Sequence, residues 1–225
     1  MEPLSPAGSP YPKPAVTAAI FTLVGLAMLT SIALLLSVGD PVQMKFLIED
    51  SGPVQMTGQL SIGAAFGLCL LSAVFDSKRR GAFIMLSYLL MFYFLREADY
   101  HYKVSEFAKA TQFKRFYLHD MIPLSTKLFM ASIIILFLVT LVKYLRQEKT
   151  TFLHSLQMRL PWALCCGVWF VVFGLSQTID QVPIFHNVTG QVFEEVFEAS
   201  AEVIALLAVI LFRLQVIHDA KLAAS

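Results

Sequence analysis

Six long apolar stretches alternate with short polar ones, and this alternation is the dominant pattern of the chain. Each stretch holds about 20 residues, which is the length that an α-helix needs to cross a hydrocarbon core of about 30 Å. Lipid offers the backbone no hydrogen-bond partners, so helices are the expected form of these stretches. The predicted spans are 15–38, 58–76, 82–101, 121–145, 160–180 and 194–217.

Composition supports a membrane protein. Of the 225 residues, 57% are hydrophobic and 15% are charged, against about 25% charged in an average soluble domain. We predict an all-α polytopic integral membrane bundle of six transmembrane helices. Residues 1–14 would form a disordered tail, 15–217 the six-helix domain and 218–225 a C-terminal tail. The first span exceeds the roughly 7–15 residues of a signal-peptide core, so it is expected to stay attached.

Charge and cysteine content exclude several classes of protein. The formal net charge is +1, so no basic face indicates a nucleic-acid partner. Cys69, Cys165 and Cys166 all fall in apolar spans, which favours buried thiols over a disulfide framework or a CxxC metal site.

The distribution of basic residues predicts the orientation. Lys78, Arg79 and Arg80 follow the second span, and further basic residues follow the fourth. The positive-inside rule places these two turns in the cytoplasm, and six spans then place both termini there. The basic residues that follow the third span oppose this orientation. The bilayer is the expected surrounding partner.

Four glutamates open the sixth span: Glu194, Glu195, Glu198 and Glu202. Offsets of three and seven residues place Glu195, Glu198 and Glu202 on one helical face, with Glu194 off it. At 1.5 Å per residue, Glu202 lies about 12 Å inside the outer boundary of the membrane. An ionised carboxylate at that depth needs a partner, water or a proton, so these acids indicate a functional site.

Three other spans end near the same depth with acids or histidines. Glu97 and His101 are four residues apart at the end of the third span, and His119 with Asp120 precedes the fourth. Asp180 closes the fifth. Alternatives exist, since Asp120 could cap a helix, Asp180 could be solvated, and Glu195 could complement the helix dipole.

Glutamate and histidine on facing helices are typical ligands of zinc, iron or manganese. A bound divalent metal would activate water, with a carboxylate as general base. We therefore predict a metal-dependent hydrolase of a lipid or lipid-linked small molecule. The alternatives are a proton- or cation-coupled transporter and a non-catalytic subunit of a membrane complex. The predicted acid–base groups are Glu97, Glu198 and Glu202, and the predicted metal ligands are His101, Glu195, His119, Asp120 and Asp180.

Three motifs carry a family resemblance: EDSGPVQ, FLREADYH and EEVFEASAE. Together they resemble bacterial multi-spanning inner-membrane proteins of uncharacterised activity, which have an acidic-Gly loop, an RExDxH motif and an EExxE motif. The resemblance runs from about residue 45 onward, and Ser51, between the acids and Gly52, departs from it. It implies the inner membrane of a bacterium and implies no activity.

Overall fold

The computed structural model describes residues 14–48, 52–97, 113–120, 122–185 and 187–222. Within those ranges the chain forms eight α-helices and one 3₁₀ turn, Pro183–Phe185, and no strand, which confirms the all-α class. The α-helices are α1 Pro14–Ser37, α2 Pro41–Ile48, α3 Pro53–Phe75, α4 Arg80–Glu97, α5 Phe113–Leu118, α6 Leu124–Gln157, α7 Pro161–Gln181 and α8 Val188–Leu222.

Each of the six predicted spans corresponds to a helix: α1, α3, α4, α6, α7 and α8. Three of these helices are longer than predicted, and the first of them, α3, begins at Pro53 rather than at residue 58. α6 continues past residue 145 to Gln157, and α8 begins at Val188 and ends at Leu222. An apolar run identifies only the part of a helix that can lie in lipid. The helix continues past that part where the following polar residues have good helix propensity.

Local capping residues explain where several helices begin. α1, α2, α3 and α7 each start with a proline, whose fixed φ and missing N–H suit the first helical position. Asp40 Oδ1 accepts a hydrogen bond of 2.9 Å from the Val42 N–H at the start of α2. At the start of α8, Asn187 Oδ1 accepts from the Gly190 N–H at 2.9 Å, and Asn187 Nδ2 donates to the Ile184 carbonyl at 3.0 Å.

In the part of the chain that the structure describes, five stretches are long and apolar enough to cross a membrane, and they mark the chain as an integral membrane protein. A sixth apolar stretch, Arg80–Leu95 in α4, is shorter. The five are Thr17–Ser37, Pro41–Phe75, Leu124–Gln157, Pro161–Gln181 and Val188–Lys221, and the second contains α2, α3 and residues 49–51, which lie outside the described ranges.

The chain divides into two compact units. The first unit combines residues 1–68 with 150–225, and its described helices pack around α8. One apolar cluster joins α8 to α1 and α2, and another joins it to α7. Ala201 and Ala208 of α8 lie in the second cluster, where small side chains let helices approach closely. The two clusters comprise Ile32, Leu35, Ile48, Val192 and Val196, and Cys165, Val172, Ala201, Ile204 and Ala208.

The second unit covers residues 69–149. Here α4 packs on α6, with the rings of Phe92 and Phe137 stacked at a centroid distance of 4.1 Å. In the turn before α4, Asp76 Oδ1 accepts a hydrogen bond of 2.9 Å from the Arg79 N–H. The Arg79 guanidinium also lies 3.7 Å from the Glu148 carboxylate, which places the basic turn beside the later part of α6.

Candidate functional site

Two glutamates of α8, Glu198 and Glu202, form the centre of the candidate site, and we call them the carboxylate pair. They are one helical turn apart, so they share a face of the helix. Glu202 is only 3% exposed, and Glu198 is partly buried. Buried charged side chains are rare unless something compensates the charge, so the surroundings of this pair decide what it can do.

On the α7 side, Gln177 positions Glu198. Its Nε2 donates a hydrogen bond of 2.7 Å to Glu198 Oε1. A hydrogen bond to a carboxylate is stronger than one between neutral groups, so it fixes the direction of this side chain. Ser176, the preceding residue, is fully buried, and among the described residues its hydroxyl has no hydrogen-bond partner.

On the α3 side, Gly58 makes room for Glu202. A Cβ atom added at Gly58 would overlap Glu202 Oε2 and would lie 3.1 Å from the Ala199 Cα. Any larger residue at position 58 must therefore displace the carboxylate or the α8 backbone. Gln55 lies three residues earlier and so on the same face of α3. Its side-chain oxygen is buried, without a hydrogen-bond partner in the part of the chain that the structure describes.

The chemistry of this region is dominated by oxygen. α8 contributes two carboxylates, and the helices that contact them each carry a buried oxygen without a hydrogen-bond partner among the described residues: the Gln55 amide oxygen on α3 and the Ser176 hydroxyl on α7. Leaving a buried polar atom without a hydrogen bond costs about 1–3 kcal/mol, so the Gln55 oxygen and the Ser176 hydroxyl favour a bound water or cation. Oxygen ligands of this kind are preferred by hard cations.

Two other predicted site residues, Glu195 and Asp180, belong to the first unit. Glu195 is partly buried, three residues before Glu198 on α8. Asp180 is exposed near the end of α7, where its Oδ2 accepts a hydrogen bond of 2.6 Å from the side chain of its neighbour Gln181. Its position fits the interpretation of a solvated helix-end residue.

The remaining candidates belong to the second unit. Glu97 is the last residue of α4, and its side chain, like the whole of His101, lies outside the described residues. His119 and Asp120 are both exposed in the turn after α5. That these four residues join the α8 acids stays a prediction.

A metal centre stays a prediction as well. Among the residues that the structure describes, no group of three or more His, Cys, Asp or Glu side chains is arranged to hold a metal ion. The sequence predicts Glu97 as an acid–base group and His101 as a metal ligand. The side chains of both lie outside the described residues.

Sequence reasoning missed Gly58, Gln55 and Ser176. Gln55 and Gly58 stand among other polar residues at the start of α3, and Ser176 adjoins Gln177, so none of the three is distinctive until the opposing helix is known. The clearest sign of these residues in the sequence is the polar pair Ser176–Gln177, which directly follows an apolar run.

Comparison of the chain with protein-family models, with curated proteins and with solved structures yields no match. The resemblance to bacterial inner-membrane proteins therefore stays a prediction. Fold and site together define the class as an all-α integral membrane protein whose helix α8 carries a buried glutamate.

Proposed function

We propose that this chain binds a proton or a small cation at the carboxylate pair and couples that binding to transport across the membrane. One observation carries the proposal: Glu202 is buried in an apolar helix, against Gly58 and one turn from a second carboxylate. Ionisable residues in such positions mark ion or proton pathways in membrane proteins.

The charge of the pair supports binding of a positive species. Two carboxylates one turn apart repel each other when both are ionised, and low-dielectric surroundings strengthen the repulsion. A single proton or cation offsets it. Gln177 donates to Glu198 but is neutral, so it orients that carboxylate without removing its charge.

The neighbouring oxygens support a cation in particular. The buried oxygens of Gln55 and Ser176 need a partner, and a cation coordinated by side-chain oxygens supplies one. Reversible binding of such an ion, followed by its release to the other side, is the elementary step of a cation-coupled carrier.

The proposal includes an orientation. With both termini in the cytoplasm of a bacterium, the carboxylate pair lies toward the outer face of the inner membrane. Support comes from the six described helices that correspond to the predicted spans and from the basic turn around Arg79. The ion pair of Arg79 with Glu148 brings two predicted cytoplasmic segments of the second unit together.

A metal-dependent hydrolase acting on a lipid-like substrate is the second candidate. The observation in its favour is that Glu198 and Glu202 present carboxylate oxygens on one face of α8, and such ligands suit manganese, iron or zinc. His101 and Glu97 would complete the ligand set.

Transport is tested in proteoliposomes that contain a trapped pH-sensitive dye. Dilution into medium containing Na⁺, K⁺ or Ca²⁺ should change the internal pH of vesicles with the native chain. Glu202→Gln should reduce the initial rate at least tenfold. Glu194→Gln, which makes the same chemical change about 80° around α8 from Glu202, should leave the rate within twofold. Equal rates in the native chain and Glu202→Gln, or native rates no higher than in empty vesicles, would refute coupled transport.

The second candidate is tested by plasma mass spectrometry of the purified chain. A stoichiometric transition metal that is lost in Glu198→Gln and in His101→Ala would favour the hydrolase over the carrier. A folded chain that holds no metal after reloading would exclude it.

A further inference from the structure

A second polar cluster lies near the C-terminal end of α8, far from the carboxylate pair. Gln215 is fully buried, and its Nε2 donates a hydrogen bond of 2.8 Å to Asp219 Oδ1. This bond leaves Gln215 Oε1 and Asp219 Oδ2 as buried acceptors, and neither has a hydrogen-bond partner within the described ranges. Two neighbouring buried oxygens without hydrogen bonds require a hydrogen-bond donor or a bound cation.

The end of α6 carries hydroxyl groups that are also buried. Thr151 is 5% exposed and Ser155 is fully buried, and their spacing of four residues places them on one face. The Ser155 hydroxyl makes no hydrogen bond to any described residue. A buried face of α6 thus presents a further oxygen without a partner.

Contacts among three aromatic rings show that the C-terminal part of α6 and the C-terminal part of α8 both lie beside the start of α7. The Trp162 ring of α7 lies 5.9 Å from the Phe152 ring of α6 and 4.9 Å from the Phe212 ring of α8, measured between centroids. Phe152 and Ser155 are three residues apart on α6. Gln215 and Asp219 follow Phe212 by three and seven residues, so helical spacing turns both groups toward this junction.

The cluster is separate from the carboxylate pair. Gln215 lies thirteen positions after Glu202, which is about 20 Å along the helix. Between them α8 buries Ile204, Ala208 and Phe212, so an apolar segment divides the two polar regions.

The basic residues of α8 do not account for the buried acceptors. Lys221 is exposed. Arg213 precedes Asp219 by six residues, which places it on a different face of the helix. His218 is partly buried, and its Nε2, like Trp162 Nε1, has no hydrogen-bond partner among the described residues.

We propose that Ser155, Gln215 and Asp219 form a binding site for a small monovalent cation such as Na⁺, K⁺ or NH₄⁺, which we call the inner cation site. It offers one carboxylate, one amide oxygen and one hydroxyl, and these are hard oxygen ligands carrying a single negative charge. A divalent ion would keep an uncompensated charge in a buried place. The inference goes beyond the proposed function because none of these residues belongs to the carboxylate pair.

Two cation sites on either side of an apolar segment have a mechanistic consequence. An ion leaving one site has a second polar site further along the same helix, across Ile204, Ala208 and Phe212. The inner cation site would therefore accept an ion released by the carboxylate pair, or supply one to it, across the apolar segment of α8.

The test uses the full chain in detergent, with Glu198→Gln and Glu202→Gln together to silence the carboxylate pair. Thermal unfolding is measured while NaCl, KCl or NH₄Cl replaces choline chloride at constant ionic strength. We expect at least one cation to raise the unfolding temperature saturably. Adding Asp219→Asn should weaken the apparent cation affinity at least tenfold, and Ser155→Ala should weaken it by a smaller factor.

The outcomes separate this site from the proposed function. Saturable binding that survives loss of the pair but not Asp219→Asn supports the inner cation site, whatever the flux experiment shows. Identical titrations with and without Asp219→Asn, or no cation-specific shift, would overturn it and leave the buried oxygens to water. Circular dichroism and gel filtration confirm that each variant is folded, and if Asp219→Asn fails to fold, the Ser155→Ala titration decides.

Discussion

Helices α6 and α8 are nearly equal in length, with 34 and 35 residues, and both are strongly apolar, yet their burial differs. Half of the most apolar stretch of α8 is buried, whereas none of the corresponding stretch of α6 is. In a membrane protein, exposed apolar residues such as Ile135 of α6 suit contact with lipid. The difference teaches that apolar sequence identifies a membrane-spanning helix. Burial of that helix by other helices identifies where a charged side chain can be accommodated.

In the apolar middle of the two helices the polar residues follow the same division, although the end of α6 also buries Glu148, Thr151 and Ser155. Glu202 and Gln215 interrupt the apolar sequence of α8, and both are at most 3% exposed. The middle of α6 instead presents Leu136, Leu138 and Val139 at its surface. A helix enclosed by protein can provide partners for a polar side chain, and lipid cannot.

The largest effect expected from this comparison comes from paired isoleucine truncations. Ile204→Ala on α8 removes a side chain that is 1% exposed, and it should lower the free energy of unfolding by about 2–4 kcal/mol because a cavity remains. Ile135→Ala on α6, at 60% exposed, should change it by less than about 0.5 kcal/mol. Denaturant titration in micelles measures both. Similar losses at the two positions would break the comparison.

Paired glycine substitutions sharpen the comparison at the carboxylate pair. Gly58→Ala places a methyl group against Glu202 and Ala199, and it should cost about 1–3 kcal/mol of stability through overpacking. Gly67→Ala, on the same helix, meets no atom within 4 Å. It should instead stabilise by about 0.4–1 kcal/mol. The same titration reports both, and a Gly58→Ala protein as stable as the native chain would contradict the close contact.

A smaller effect is expected at the start of α8. Asn187→Ala removes the side-chain acceptor for the Gly190 N–H, and it should lower stability by about 1 kcal/mol. Asn187→Asp keeps the acceptor and serves as the control. If alanine and aspartate behave alike in thermal unfolding, this cap does not support the helix.

The smallest effect is expected after α6. Arg159 has a φ of 54°, in the left-handed region that favours glycine, and the Leu160 N–H donates to the Ser155 carbonyl at 2.9 Å. Arg159→Gly should stabilise the turn by about 0.5–1 kcal/mol, whereas Arg159→Ala should not. Hydrogen exchange of the Leu160 amide provides the measurement, and faster exchange in the glycine variant would be the opposite result.

The sequence predicts the helices well because the thickness of a bilayer fixes how many apolar residues a span needs. It also singles out Glu202, because few sequences place a glutamate so far inside a span. It does not reveal which face of a span meets protein, because lipid and a protein interior select similar side chains. Gly58 and Ser155 therefore have no visible role until a second helix is placed beside them.

The central claim is that Glu202 exchanges a proton or cation, and infrared difference spectroscopy of the purified chain tests it most directly. Spectra are compared between acid and alkaline solutions, and with and without Na⁺. We predict that one component of the carboxyl difference signal of the native chain, sensitive to Na⁺, is retained in Glu194→Gln and lost in Glu202→Gln. Identical difference spectra for the native chain and Glu202→Gln would contradict the claim.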